Sequence, residues 1–109
     1  FSFPIEQGKT FELRIRWIDD TKQIVDVSAY TARMKARQGY AGATALISLT
    51  NGAGITLAST APNITIALTA TETAALSFVR AVYDLELVTG ATVTRLLSGT
   101  VSLRKNVTT

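Results

Sequence analysis

Residues 81–104 read AVYDLELVTGATVTRLLSGTVSLR, and the alternation in this stretch decides the fold. Tyr83, Leu85 and Leu87 fall on one side of an extended chain, and Asp84 and Glu86 on the other. Successive side chains of a strand point to opposite faces, so this spacing predicts a strand with one apolar and one charged face. The run breaks at TGAT, residues 89–92, where glycine tolerates the backbone of a tight turn. It resumes with Val93, Arg95 and Leu97 read onto one face, and Val101 and Leu103 continue the apolar side. Gly99, inside that strand, marks a bulge or a close backbone approach. The stretch is read as a β-hairpin.

The same period of two runs outward from the hairpin. In TFELRIRWI, residues 10–18, Phe11, Leu13, Ile15 and Trp17 oppose Glu12, Arg14 and Arg16. The turn residues DDTK, 19–22, lead to the short run IVDV. In TARMKARQ, Ala32, Met34 and Ala36 alternate with Arg33, Lys35 and Arg37. GYAGA, 39–43, reads as a loop tip. NGAG, 51–54, reads as a hairpin connection between ALISLT and ITLAST. APN, 61–63, is a turn before ITIALT, which puts Ile64, Ile66 and Leu68 on one face. TATETAALSF, 69–78, breaks the pattern. It is rich in helix formers, with Thr69 or Thr71 as cap and Glu72 placed to complete a capping box with Thr69. About seven or eight short strands with one short helix near residues 70–77 predict an all-β chain. The expected architecture is an antiparallel β-sandwich, immunoglobulin-like or jelly-roll-like. No fixed-period repeat or linker divides residues 1–109, which are read as a single domain. Residues 1–7 are read as an N-terminal arm, whose Phe1 and Phe3 must pack on the domain's own core or on a neighbouring subunit.

Composition limits the chemistry. The chain has 109 residues, 47% hydrophobic and 17% charged, enough to bury one core and too apolar for a disordered segment. No run reaches the roughly eighteen apolar residues of a spanning helix, so no membrane partner is expected. FSFPIEQGKT has no basic region ahead of an apolar run, so no signal peptide is expected. Without cysteine there is no disulfide or thiolate chemistry, and without histidine no Ser-His-Asp or Cys-His nucleophile. The formal net charge of +3 is permissive for an anionic partner, but it lacks the dense basic cluster of a dedicated nucleic-acid binder.

Three groups of residues have the side chains a site would need. Asp84 and Glu86 have the residue types of an acid–base pair, but a charged strand face pairing with Arg95 or Arg104 explains them better. Asp19 and Asp20 lack the spacing that surrounds a calcium ion and are explained by the turn. No catalytic, cofactor or metal residue is therefore assigned. Arg33, Lys35 and Arg37, with Arg14 and Arg16 read as lying beside them, form the face most like a partner interface. Phe1, Phe3 and Tyr40 join them as interface candidates. No aromatic side chain interleaves with these cations, so an acidic protein surface is a better match than nucleic acid. Trp17, the only tryptophan, is read as core. NIT (63–65) and NVT (106–108) match the glycosylation sequon but carry no meaning without a secretory signal.

The order of motifs carries a resemblance. GKTFELRIRWID is followed by SAYTARMKAR, then LTATETAAL, then YDLELVTGATVTRLLSGTVSLRKNVT. Over about Gly8 to Thr108 this resembles a family of small phage virion proteins, whose β-sandwich is similar to the N-terminal domain of siphophage baseplate upper proteins. The resemblance implies a non-enzymatic virion structural protein that binds major capsid, neck or tail subunits and is homo-oligomeric in the particle. The single-domain length points to capsid decoration ahead of a neck, tail or baseplate adaptor. A carbohydrate- or receptor-binding module is the alternative from another class, with Tyr30, Tyr40 and Trp17 as the rings that would stack on a sugar.

Overall fold

The closing hairpin forms where the alternation places it, as strands β7 (Arg80–Thr89) and β8 (Thr92–Arg104) joined through Gly90 and Ala91. The structure is a computed structural model that describes residues 1–38 and 45–105. Ahead of the hairpin run β1 (Phe3–Glu6), β2 (Phe11–Ile15), β3 (Thr31–Arg37), β4 (Ile47–Asn51), β5 (Gly54–Leu57), β6 (Ile64–Leu68) and the helix α1 (Ala70–Ala74). The protein is all-β, with eight strands and one short helix among the described residues. Thr69 caps α1. Its hydroxyl accepts from the Glu72 amide at 3.1 Å while the Glu72 carboxylate accepts from the Thr69 amide at 2.8 Å, which forms the expected capping box.

The strands follow the hydrogen-bonded order β1-β8-β7-β3-β4-β5-β6-β2. Five of the seven pairings are antiparallel; β1 with β8 and β4 with β5 are parallel. The runs β3-β7-β8 and β5-β6-β2 have the connectivity of the C-F-G and D-E-B strands of an immunoglobulin-like domain rather than a jelly roll. Between the two runs the NGAG segment is a corner, not the expected hairpin. Thr50 pairs with Gly54 and Asn51 with Ile55 in parallel, so the chain steps sideways and keeps its direction. Gly52 and Gly54 make the step at φ +87° and +99°. At Gly54 that backbone strains any L side chain, and a Cβ there would also come within 2.6 Å of Leu49 Cδ2 and force that side chain to shift.

The curled sheet encloses a single core. Ile5, Met34, Ile55, Ile64, Ile66, Leu85, Leu87 and Val101 are essentially inaccessible to solvent. The outermost strands of the order, β1 and β2, meet through the stacked rings of Phe3 and Phe11, 5.3 Å between centroids. Trp17 packs beside the core with its ring edge-on to Tyr30, 5.4 Å away. Asn63 ties down the loops behind Trp17 and is completely buried. Its Oδ1 accepts from the Trp17 amide at 2.8 Å, and its Nδ2 donates to the carbonyls of Trp17 and Val25 at 3.0 and 3.1 Å. The side chain thus gives the Trp17 amide an acceptor and the Val25 carbonyl a donor, and adds a second donor to the Trp17 carbonyl, which also accepts from the Val25 amide at 3.0 Å.

The expected face of β8 needs correction. Leu85 pairs with Leu97 but Glu86 pairs with Arg95, which leaves Leu96 as an extra residue. This bulge reverses the parity of everything before it, so Val93 and Arg95 point outward while Leu97 lies on the inner face. The bulge is therefore at Leu96. Gly99 serves the other purpose foreseen for it, close approach, because a Cβ there would run into the Phe1 carbonyl. Residues 3–6 of the expected arm are strand β1, in parallel register with Val101–Arg104.

Candidate interaction surface

The outward side chains of β1, β8, β7 and β3 make up one sheet face, and the register fixes which charges meet. On β3 these are Arg33, Lys35 and Arg37; on β7, Arg80, Val82, Asp84 and Glu86. Arg33 stands opposite Glu86, Lys35 opposite Asp84 and Arg37 opposite Val82. Arg95 and Arg104 project from β8, and Glu6 from β1. Three ion pairs cross the strands. Arg33 Nε lies 2.8 Å from Glu86 Oε1, Arg95 Nε 3.8 Å from Asp84 Oδ2, and Arg104 Nη1 3.7 Å from Glu6 Oε1. Exposed pairs of this kind contribute about 0–1 kcal/mol each, so they set the charge pattern more than they hold the fold.

Of the eleven Lys and Arg residues, six lie on this face, and of the eight Asp and Glu residues, three do. The three carboxylates are taken by Arg33, Arg95 and Arg104. Lys35, Arg37 and Arg80 are left without an ion-pair partner among the described residues. Five cations and five carboxylates remain elsewhere and balance, so the formal net charge of +3 is the charge of this one face. Two open depressions indent it. One of about 280 Å³ is lined by Arg33, Lys35, Arg37, Asp84 and Glu86. The other, of about 400 Å³, lies over β1 and β8, where Arg80 and Arg104 flank Thr100 and Ser102.

The other candidates lie elsewhere. Arg14 is on β2, at the far end of the order, with β4, β5 and β6 between it and β3. Its Nε binds Glu12 Oε1 at 2.6 Å. Arg16 follows β2 in the chain, so neither arginine sits beside the β3 cations as expected. Pairing between distant strands, which local alternation does not encode, sets that separation. Phe3 is buried at 7% exposure, packed on Phe11 and, edge-on at 5.0 Å, on Tyr83. It belongs to the core and is not available to a partner. Phe1 is 63% exposed; its carbonyl accepts from the Tyr83 hydroxyl. Burial pushes the Tyr83 hydroxyl pKa above its ordinary value. Tyr40 and the GYAGA segment lie outside the described residues, as does the NVT sequon.

Asp84 and Glu86 are each held by an arginine, and the Glu86 carboxylate forms its ion pair with Arg33 of β3 rather than with an arginine across the hairpin. The Asp19 carboxylate closes its turn. Its Oδ1 accepts from the Thr21 hydroxyl at 2.7 Å, the Thr21 amide at 2.9 Å and the Gln23 amide at 3.0 Å. The Thr21 hydroxyl first, then the Gln23 amide, holds its pKa below the ordinary value. Among the described residues no group of three acidic side chains could hold a metal ion. Sequence reading missed Arg80, although it extends the alternation of Val82, Asp84 and Glu86 back by one step. It also missed Asn63, which has no periodic signal at all.

No family model matches the chain, and no curated protein matches it. Among solved structures, one of murine CRIg aligns over 96% of this chain and 92% of that one, at 6% identity and a TM-score of 0.43.

Proposed function

We propose that this chain is a non-enzymatic structural protein of a phage virion, a small β-domain that binds other virion subunits. The sequence resemblance of the closing hairpin and its neighbouring motifs supports this reading. The observation in the structure that carries it is the face of β1, β8, β7 and β3, a broad strand surface that gathers the whole net charge of the chain. Such a surface suits repeated contact with a complementary protein, each copy adding modest binding that symmetry multiplies. Asp84 and Glu86 are neutralised by arginines on an open face, which favours assembly over acid–base chemistry. Decoration of the capsid, with copies in oligomeric contact, is the placement we favour over a neck, tail or baseplate adaptor. Trp17 and Tyr30 pack edge-on against each other beside the core, which argues against these two rings as a sugar platform.

Co-sedimentation tests the proposal. The purified protein is mixed with phage particles that lack it and pelleted through a cushion. Saturable recovery in the pellet is expected; recovery no greater than in a particle-free control would overturn the assignment.

A further inference from the structure

We infer that Lys35, Arg37 and Arg80 form a docking point for a short carboxylate-rich segment of a partner protein; this rests on the assembly reading above. The three are neighbours. Lys35 and Arg37 are consecutive outward residues of β3, and Arg80 is diagonal to Arg37 across the β3–β7 pairing, because Arg37 stands opposite Val82. Diagonal positions on one face lie within reach of long side chains. Every other cation on the face already meets a carboxylate, so these three alone offer unspent positive charge. Arg80 also borders the depression with Thr100 and Ser102, whose hydroxyls can donate to a carboxylate oxygen that an arginine draws in.

The limits of the patch select the partner. Asp84 and Glu86 follow Arg80 on the same side of β7 and are each paired with an arginine, so a phosphate backbone that continued along the strand would meet no further unpaired cation there. The ring of Tyr83 points into the core, and the outward residue between Arg80 and Asp84 is Val82, so no described ring on β7 serves as a stacking platform for bases. Outward residues two apart are separated by roughly 7 Å along a strand, so the patch matches a few acidic side chains and not an extended polyanion.

The test uses a fluorescent triglutamate peptide and a single-stranded oligothymidine of four nucleotides as probes, read by anisotropy at low salt. The first variant is Lys35→Gln/Arg37→Gln/Arg80→Gln. The second, Arg14→Gln/Arg16→Gln/Lys22→Gln, changes net charge equally and leaves the face intact. Both are checked for native circular dichroism and melting temperature. We expect at least a tenfold loss of peptide affinity in the first variant and less than twofold in the second. Equal losses in the two, or tighter binding of the oligonucleotide than of the peptide by the unmodified protein, would overturn the inference. Particle co-sedimentation separates it from the functional proposal. If the first variant pellets as well as the unmodified protein, the docking point is wrong and the virion assignment stands. If nothing pellets, the virion assignment falls and the peptide comparison still decides the docking point.

Discussion

Asn63 shows how much one polar side chain holds at the residue scale. Its amide serves three backbone groups of Trp17 and Val25 at zero exposure. Asn63→Ala takes the acceptor from the Trp17 amide and the donor from the Val25 carbonyl, while the Trp17 carbonyl keeps the Val25 amide, so it is expected to cost about 2–3 kcal/mol in urea unfolding. A cost below about 1 kcal/mol would mean that water replaces the amide. Gly99 makes the opposite kind of demand, for space. Gly99→Ala forces the Phe1 backbone away from β8 and is expected to lower stability by about 1–3 kcal/mol; thermal melts of the two proteins side by side test this. Asp19 sets an acid limit. Its folded pKa is depressed below 3.8, so its contribution is present above that ordinary value and is lost as pH falls through the folded one. Asp19→Asn is therefore expected to flatten the loss of stability on acidification below about pH 4, measured as melting temperature against pH.

At the scale of elements, α1 is five residues long and depends on its cap. Thr69→Ala is expected to cost about 1 kcal/mol, with helix amides at Thr73 and Ala75 exchanging faster in hydrogen-exchange measurements. The capping box was legible in sequence because it is local, as were the alternating faces of β2, β3, β6 and β7. The β8 bulge was not. A single extra residue shifts parity without changing composition, and its only trace is the adjacent pair Leu96-Leu97. At NGAG the glycines announced positive φ correctly, but that signal says nothing about whether the chain reverses or steps sideways. The grouping of Arg14 and Arg16 with the β3 cations failed for a related reason. All five residues alternate alike, and only the pairing of β2 with β6 carries the two arginines to the far end of the sheet order. The β3 half of the candidate surface was thus visible in its own strand. Its partners Asp84, Glu86 and Arg80 depended on the register with β7.

For the whole molecule, the distribution of charge matters more than its total. A chain with eleven cations and eight carboxylates is only mildly basic, yet its surplus sits on one side of the sheet. Binding through that face is expected to be salt-sensitive, falling several-fold in affinity between about 50 and 500 mM NaCl as the screening length shortens. Particle co-sedimentation repeated over that range measures it; retention that is unchanged would place the contact on an apolar surface instead. Whether this protein is a virion subunit is tested by cryo-electron microscopy of particles lacking the protein after they are incubated with it. Added density is expected at symmetry-related positions on the head, with the β1-β8-β7-β3 face turned toward the particle. Particles indistinguishable from the untreated ones would contradict it.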